Sequence, residues 1–136
     1  MTGVIRIVGV DPGSGATGWG VIDCAGSRLS FVAAGVVRPK RALSRAERLA
    51  FIHDALAALI AAHRPDEAAV EETFVNASPR DALVLGEARG VALLAPARAG
   101  IAVAEYAANT IKKSVVGRGH AEKAHGAAMV RVLPPA

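Results

Sequence analysis

The sequence predicts an α/β protein built on a mixed five-stranded sheet, in which three antiparallel strands precede two parallel strands and helices flank the sheet. Two observations support this fold class. Three apolar, β-branched segments joined by short glycine-containing turns occupy the chain up to Val37, a spacing typical of antiparallel neighbours. Two later apolar strands each follow a helical segment, which is typical of parallel crossovers. The predicted order of elements is β-β-β-α-β-α-β-α.

The first strand is the apolar run over residues 4–10, which ends in Asp11-Pro12-Gly13. Such a run is typical of a strand buried on both faces, and this one delivers the Asp11 carboxylate to its carboxyl end. The second strand is predicted over residues 17–23. Residues 25–27 form a turn, and the third strand follows over residues 29–37.

A helix is predicted to begin at about residue 45, because Ser44 and Glu47 have the spacing of a capping box. An apolar stripe then indicates that this helix covers a face of the sheet. The stripe comprises Leu49, Ile52, Leu56, Leu59 and Ile60. Pro65 ends the helical segment. The strand that follows, over residues 68–70, delivers Glu71 to its carboxyl end in the same way as the first strand delivers Asp11.

A second helix is predicted over residues 80–95, with Ser78 and Asp81 as the signal at its start and with Pro96 and Gly100 closing the element. Gly86 and Gly90 are four residues apart and therefore share a face of this helix. Because each glycine costs about 1 kcal/mol relative to alanine, we expect another helix to approach closely there, such as one from a second subunit. A fifth strand over residues 101–106 and helices over 109–116 and 121–133 complete the prediction.

Composition narrows the class of protein. The 136 residues suffice for one domain, and no apolar run approaches the ~20 residues of a membrane span. No secretory signal is visible, and the single cysteine, Cys24, excludes an internal disulfide and fits a cytoplasmic protein. There are 16 Lys and Arg against 12 Asp and Glu, a formal net charge of +4. This excess is compatible with a nucleic-acid partner.

Asp11 and Glu71 are the candidate site. Open α/β sheets place ligands at the carboxyl ends of their strands, and Mg²⁺ prefers carboxylate oxygens. Two Mg²⁺ ions about 3.5–4 Å apart can supply the nucleophile and the charge neutralisation that phosphodiester hydrolysis needs. Glu72 is the alternative to Glu71. Period-two alternation sends the two side chains to opposite faces, and sequence physics does not choose between them.

Several blocks of the chain, in order, resemble the RuvC-type Holliday junction resolvases. The resemblance covers about residues 5–133 and depends on a series of motifs. The motifs are Val8-Gly9-Val10-Asp11-Pro12-Gly13, Thr17-Gly18-Trp19-Gly20, Val70-Glu71-Glu72-Thr73-Phe74, Leu85-Gly86-Glu87-Ala88-Arg89-Gly90, Ile111-Lys112-Lys113 and Glu122-Lys123.

The resemblance implies a ribonuclease-H-like fold, a homodimer and a Mg²⁺-dependent endonuclease that resolves four-way DNA junctions in recombination and repair. It implies that Asp11 and Glu71 are metal ligands and that Phe74 contacts distorted bases at the junction centre. Lys112 and Lys123 match family lysines near the scissile phosphate. It also implies a partner, the RuvA-RuvB branch-migration complex.

The family pattern continues into an acidic segment of Asp-Ala-Ala-Asp type, whereas this chain ends at Ala136. We therefore expect a single RuvC-like nuclease domain over residues 1–136 that lacks this segment. Two Mg²⁺ ions carry four positive charges, and the carboxylates of Asp11 and Glu71 neutralise only two of them. A stable second ion is therefore not expected, and we predict nuclease activity far below that of a complete family member.

Three alternatives stay open at this point. A non-catalytic junction-binding module would keep Phe74 and the lysines and bind without cutting. The opening Asp-Pro-Gly-Ser-Gly-Ala-Thr-Gly is also similar to the phosphate loop of sugar kinases and actin-like ATPases, but those proteins need a second lobe. A ribonuclease-H-like nuclease that processes RNA is the third alternative. The blocks around Phe74 and Gly86 favour the resolvase over this one.

Overall fold

A computed structural model describes residues 3–72 and 78–107, which form a five-stranded sheet and two helices. The strands are β1 (Val4–Asp11), β2 (Thr17–Ala25), β3 (Arg28–Val37), β4 (Glu67–Glu72) and β5 (Ala102–Ala107), and the helices are α1 (Arg45–His63) and α2 (Pro79–Arg98). The predicted fold class is confirmed. The helices predicted over residues 109–116 and 121–133 lie outside the described residues.

The strand order in the sheet is β3-β2-β1-β4-β5. β1 is antiparallel to β2, and β2 is antiparallel to β3. β4 lies parallel to both β1 and β5, so α1 carries the chain from the outer strand β3 across the sheet to the far side of β1. The carboxyl ends of β1, β3, β4 and β5 therefore meet the start of β2 at one edge, which we call the carboxyl edge.

The two faces of the sheet are packed differently. Both helices contribute to the larger core, on one face, which comprises Val8, Val10, Val21, Val37, Ile52, Leu56, Leu59, Ile60, Ala68, Val70, Ala92 and Ala95. A smaller cluster comprises Ile7, Ile22, Cys24 and Ala69, with Tyr106 packed against it. Because Ile7 and Ala69 alternate with Val8 and Val70, this second cluster lies on the opposite face.

Helix α1 begins as predicted. The backbone N–H of Glu47 donates to the Ser44 hydroxyl at 3.1 Å, and the Ser44 N–H donates to the Glu47 carboxylate at 2.8 Å. This reciprocal pair satisfies two of the N–H groups that a helix start leaves unpaired. At the other end, Arg64 adopts a left-handed conformation with φ 51°, and Pro65 follows it.

The prediction that Pro96 and Gly100 close the second helix was wrong for Pro96, because α2 continues through Pro96 to Arg98, and is confirmed for Gly100. A proline lacks one N–H donor, and this loss is small in the last turn of a helix. There the N–H of Ala99 still donates to the carbonyls of Ala95 and Pro96. The chain leaves the helix at Gly100, whose φ is +80°. Among the described residues, no helix is long and apolar enough to cross a membrane.

Candidate active site

Asp11 and Glu71 occupy neighbouring positions at the carboxyl edge. β1 and β4 are in register with Val10 beside Val70, so the next residues along the two strands, Asp11 and Glu71, are also neighbours. Val10 and Val70 both point into the helix-covered core. Since side chains alternate along a strand, Asp11 and Glu71 both point to the opposite face. The structure therefore brings the two sequence-predicted carboxylates together.

The Glu71 carboxyl group lies in an unusual electrostatic environment. Its residue is only 5% exposed, whereas a buried carboxylate normally has a cationic partner. Burial, followed by a hydrogen bond to Asp11 and the negative charge of Asp11, raises the pKa of Glu71 from 4.5 to about 7. Two carboxylates that repel each other in a partly dry position are typical of a site that binds a cation.

The choice between Glu71 and Glu72 follows from the two faces of the sheet. Glu72 points to the same face as Val70, where it meets Arg89 of α2. The Arg89 guanidinium donates to the Glu72 carboxylate at 3.4 Å and also contacts the carboxylate of Glu105 on β5. Glu72 is thus engaged in a cluster of charges on the helix side, and Glu71 is the glutamate beside Asp11.

The loop that follows Asp11 is tightly folded. Pro12 is buried, and a Cβ atom added to Gly13 would lie 2.4 Å from the backbone carbonyl oxygen of Ala16. Because this contact is with backbone, no side-chain movement can relieve it, and the position requires glycine. The loop after Asp11 is therefore tightly closed between Gly13 and Ala16.

The donor set suits one hard cation. Among the described residues, no group of three or more His, Cys, Asp or Glu side chains converges on one point. Mg²⁺ needs few protein ligands, because it keeps several waters and is commonly held by one or two carboxylates together with substrate phosphates. The like-charged pair of Asp11 and Glu71 is such a set, and a bound cation would relieve the repulsion that raises the pKa of Glu71.

Three sequence-predicted residues, Phe74, Lys112 and Lys123, lie outside the described residues. Two features of the carboxyl edge were missed by sequence reasoning. One is the cluster of Arg89 with Glu72 and Glu105. The other is a group of arginines beside the loop after Asp11. The only sequence signal for the cluster was an arginine in the interior of a predicted helix, which by itself indicates a solvated face.

Comparison with known proteins places the chain in a family. The family model described as crossover junction endodeoxyribonuclease RuvC matches residues 7–134. A curated protein of that name from Methylocella silvestris is 62% identical over 96% of this chain and 74% of its own length. A second, from Azorhizobium caulinodans, is 57% identical over 98% of this chain and 79% of its own length.

The fold agrees with this comparison. The solved structure of Thermus thermophilus RuvC in complex with a Holliday junction substrate is similar, with a TM-score of 0.75, 23% identity and coverage of 94% of this chain and 90% of that chain. At this identity the likeness concerns the fold. The family model and the curated relatives show that the sequence is similar as well. The chain belongs to the RuvC family of crossover junction endodeoxyribonucleases.

Proposed function

We propose that this chain is a structure-specific endonuclease that resolves four-way DNA junctions by Mg²⁺-dependent hydrolysis of phosphodiesters, in recombination and repair. The observation that supports the chemistry is the adjacent pair of Asp11 and buried Glu71 at the carboxyl edge. Support for the substrate comes from relatives named crossover junction endodeoxyribonuclease and from a structural relative solved with a Holliday junction.

In this proposal Asp11 and Glu71 hold a divalent cation, and a second ion would depend on further ligands or on substrate phosphates. When bound, Mg²⁺ neutralises charge on the scissile phosphate and makes water easier to deprotonate. The chain contributes geometry. Strand β1 and the tight loop at Gly13 fix Asp11, while burial beside β1 fixes Glu71. Alternation along β4 places Glu72 on the other face, where it pairs with Arg89 and does not compete with Glu71.

We propose that the chain acts as a homodimer and that the exposed face of α2 forms the contact. Leu83 and Leu94 on this helix are 55% and 49% exposed. Between them, Gly86 and Gly90 have nothing within 4 Å of an added Cβ atom. No described part of this chain therefore provides the close packing expected at these glycines. An apolar stripe with small residues at its centre suits a second helix, and two cleavage sites related by a two-fold axis suit a four-way junction.

Further roles rest on the sequence motifs. Phe74 would stack on bases at the junction centre, a contact that contributes ~1–3 kcal/mol per base, and Lys112 and Lys123 would neutralise phosphate oxygens. We propose residues 1–136 as one RuvC-like nuclease domain that works with a RuvA-RuvB complex. We also propose that it acts in the cytoplasm.

The test uses an end-labelled mobile four-way junction, with and without Mg²⁺, and scores binding and nicking from the same samples. The variant is Asp11→Asn, and the matched control is Asp54→Asn, which removes an exposed carboxylate of α1. Symmetric Mg²⁺-dependent nicks that are lost in Asp11→Asn and kept in Asp54→Asn support the proposal.

The other outcomes separate the alternatives. Junction binding without nicks by the wild-type chain would favour a catalytically impaired junction-binding module. Equal nicking by wild type and Asp11→Asn would exclude Asp11 from the chemistry. Equal affinity for junction and linear duplex would exclude a structure-specific function.

A further inference from the structure

An arginine-lined groove lies beside the loop that follows Asp11. It has a volume of about 440 Å³, and its lining residues are Gly15, Ala16, Arg38, Pro39, Arg41 and Arg48. Arg38 directly follows β3, and Arg48 is in the first turns of α1. The arginine groove is therefore built at the carboxyl edge, on the side of the sheet that α1 covers.

The charge of the arginine groove is not neutralised by the described part of the chain. Arg38 and Arg41 are exposed, and neither forms an ion pair with a described residue. Arg45, the neighbouring arginine in sequence, instead pairs with Glu87 of α2 at 2.8 Å. The nearby Glu47 carboxylate accepts from the backbone N–H of Ser44 at the helix cap.

Arg48 connects the arginine groove to the loop that follows Asp11. Its guanidinium donates to the backbone carbonyl of Ser14 at 2.9 Å, within the loop that begins immediately after Asp11. A backbone carbonyl leaves the positive charge of Arg48 uncancelled. The groove and the candidate active site are thus fixed to each other through four residues of main chain, Pro12 to Gly15.

The register of the sheet gives the separation of the two sites. Asp11 pairs with Gly18, and Thr17 pairs with Val37, so β3 ends two strand positions away from β1. Neighbouring strands are ~4.8 Å apart, which places the start of the arginine groove about 10 Å from Asp11 across the edge. DNA rises about 3.4 Å per nucleotide along its helix axis, and successive phosphates of one strand are farther apart than this rise, so the arginine groove lies within about one to three nucleotides of the scissile phosphate.

We infer that the arginine groove is a second DNA contact, which binds the sugar-phosphate backbone of a junction arm within about one to three nucleotides of the scissile phosphate. The contact is assigned to the sugar-phosphate backbone, because the polar side chains lining the groove are arginines, arginine is an effective phosphate ligand, and most hydrogen bonds between proteins and DNA are to phosphate and sugar. This inference rests on the proposed function and adds to it how the duplex arm is aligned.

The test is a titration of labelled four-way junction in EDTA at several KCl concentrations. It compares wild type with Arg38→Gln, Arg41→Gln and the double variant. Arg28→Gln is the matched control, because Arg28 is an exposed arginine at the start of β3, whereas Arg38 follows the end of that strand. Each groove substitution should lower the slope of log affinity against log salt by about 0.9, and the double variant by about 1.8 with roughly tenfold weaker binding. Arg28→Gln should change neither quantity.

A second measurement tests the position. Neutral methylphosphonates are placed one at a time along the strand on either side of the cleavage site. Affinity of the wild-type chain should fall most with one substitution about one to three nucleotides from the cleavage site, and the double variant should no longer respond to that substitution.

Three results would overturn the inference. Wild-type slope and affinity in the double variant would show that the groove does not contact DNA, while the proposed function would stand. An equal loss in Arg28→Gln would show a general effect of surface charge. Absence of junction binding by the wild-type chain would remove both the inference and the proposed function. Circular dichroism of each variant confirms that it is folded. Arg38→Lys, which keeps the positive charge, should recover most of the affinity for the junction that Arg38→Gln loses.

Discussion

The two ends of β1 show opposite uses of charge. Near the amino end, Arg6 donates to both carboxylate oxygens of Asp23, at 2.8 and 3.0 Å, and to the carbonyl of His63 at 2.9 Å. Its backbone N–H donates to the Asp66 carboxylate at 2.7 Å. At the carboxyl end, Asp11 and Glu71 face each other without a cation among the described side chains.

This difference separates a network that stabilises the fold from the proposed metal site along a single strand. The Arg6 network ties β1 to β2, to the end of α1 and to the turn before β4, and each charge in it has a partner. Because burial and Asp11 raise the pKa of Glu71, we expect the ionised pair to cost free energy of folding in the absence of a cation, which is a common property of binding sites. Substitutions at the two ends should therefore change different measurements, and four experiments test that expectation.

The largest effect is expected for Glu71→Gln. If Glu71 holds the metal ion, loss of its charge should lower Mg²⁺-dependent nicking of a four-way junction by about 100-fold or more, since even indirect partners of a metal site contribute 10–100-fold. The rate of nicking under single-turnover conditions is the measurement.

Glu72→Gln is the matched control, because it makes the same chemical change one residue away on the opposite face. Its contact with Arg89 is partly exposed, so nicking should stay within about tenfold of wild type. If the control loses activity as severely as Glu71→Gln, the assignment of Glu71 to the site is wrong.

The next effect is expected at the other end of the strand. Arg6→Ala leaves the partly buried Asp23 carboxylate and the His63 carbonyl without their donor. Hydrogen bonds to charged groups contribute about 1.5–3 kcal/mol, so the free energy of unfolding should fall by about 2 kcal/mol. Urea denaturation measures it. Arg28→Ala, at the exposed start of β3, should change stability by less than about 0.5 kcal/mol, and a similar loss in both variants would contradict the role of the network.

Sequence patterns predicted the two ends of β1 unequally, for physical reasons. Asp11 was recognisable because two predicted buried strands each end in a carboxylate, Asp11 and Glu71, whereas an aspartate before Pro-Gly is by itself common in turns. Arg6 could not be interpreted, because its partners are 17, 57 and 60 residues away. The same limit applies to Arg89 and to the arginine groove. Local periodicity predicts strands and helices. Contacts between residues far apart in sequence depend on how the complete sheet is assembled, and periodicity does not predict them.

The register also explains the choice between the glutamates that the sequence left open. Alternation showed that only one could face Asp11, but not which one. The choice depends on the register of β1 and β4, in which Val10 lies beside Val70. The residues that follow, Asp11 and Glu71, therefore point to the same face of the sheet. Pro96 illustrates a different limit, since a helix end depends on where the remaining backbone donors find carbonyls and not on proline alone.

A smaller effect, of opposite sign, is expected for Asp11→Asn in metal-free buffer. The raised pKa of Glu71, about 7 in place of 4.5, means that its contribution to stability is complete below pH 4.5 and is lost as the pH rises through 7. Removal of the Asp11 charge lowers this pKa, although burial remains the larger cause. The variant should therefore be more stable than wild type by about 1 kcal/mol at pH 8 and nearly equal to it at pH 4.5.

Thermal unfolding in EDTA at the two pH values measures this difference. Millimolar Mg²⁺ should reduce the advantage of the variant at pH 8, because a cation bound by wild type stabilises its folded state. A variant that is less stable than wild type at pH 8 without metal would show that Asp11 and Glu71 do not repel each other.

The smallest effect is expected from the pH dependence at Asp23. The hydrogen bond from Arg6 is the main cause that holds the pKa of this carboxyl below its usual 3.8, and burial opposes it. Its contribution to stability is therefore present above pH 3.8 and is lost as the pH falls through the lower folded-state value. Because both side chains are partly exposed, the contribution should be less than about 1 kcal/mol. Urea denaturation of Asp23→Asn should show a weaker loss of stability between pH 4 and pH 2.5 than that of wild type. Equal losses would mean that Asp23 is not protonated in this range. If the expected results are obtained, acid has opposite effects on stability at the two ends of β1. It removes a favourable charge pair near Arg6 and relieves an unfavourable pair beside Asp11.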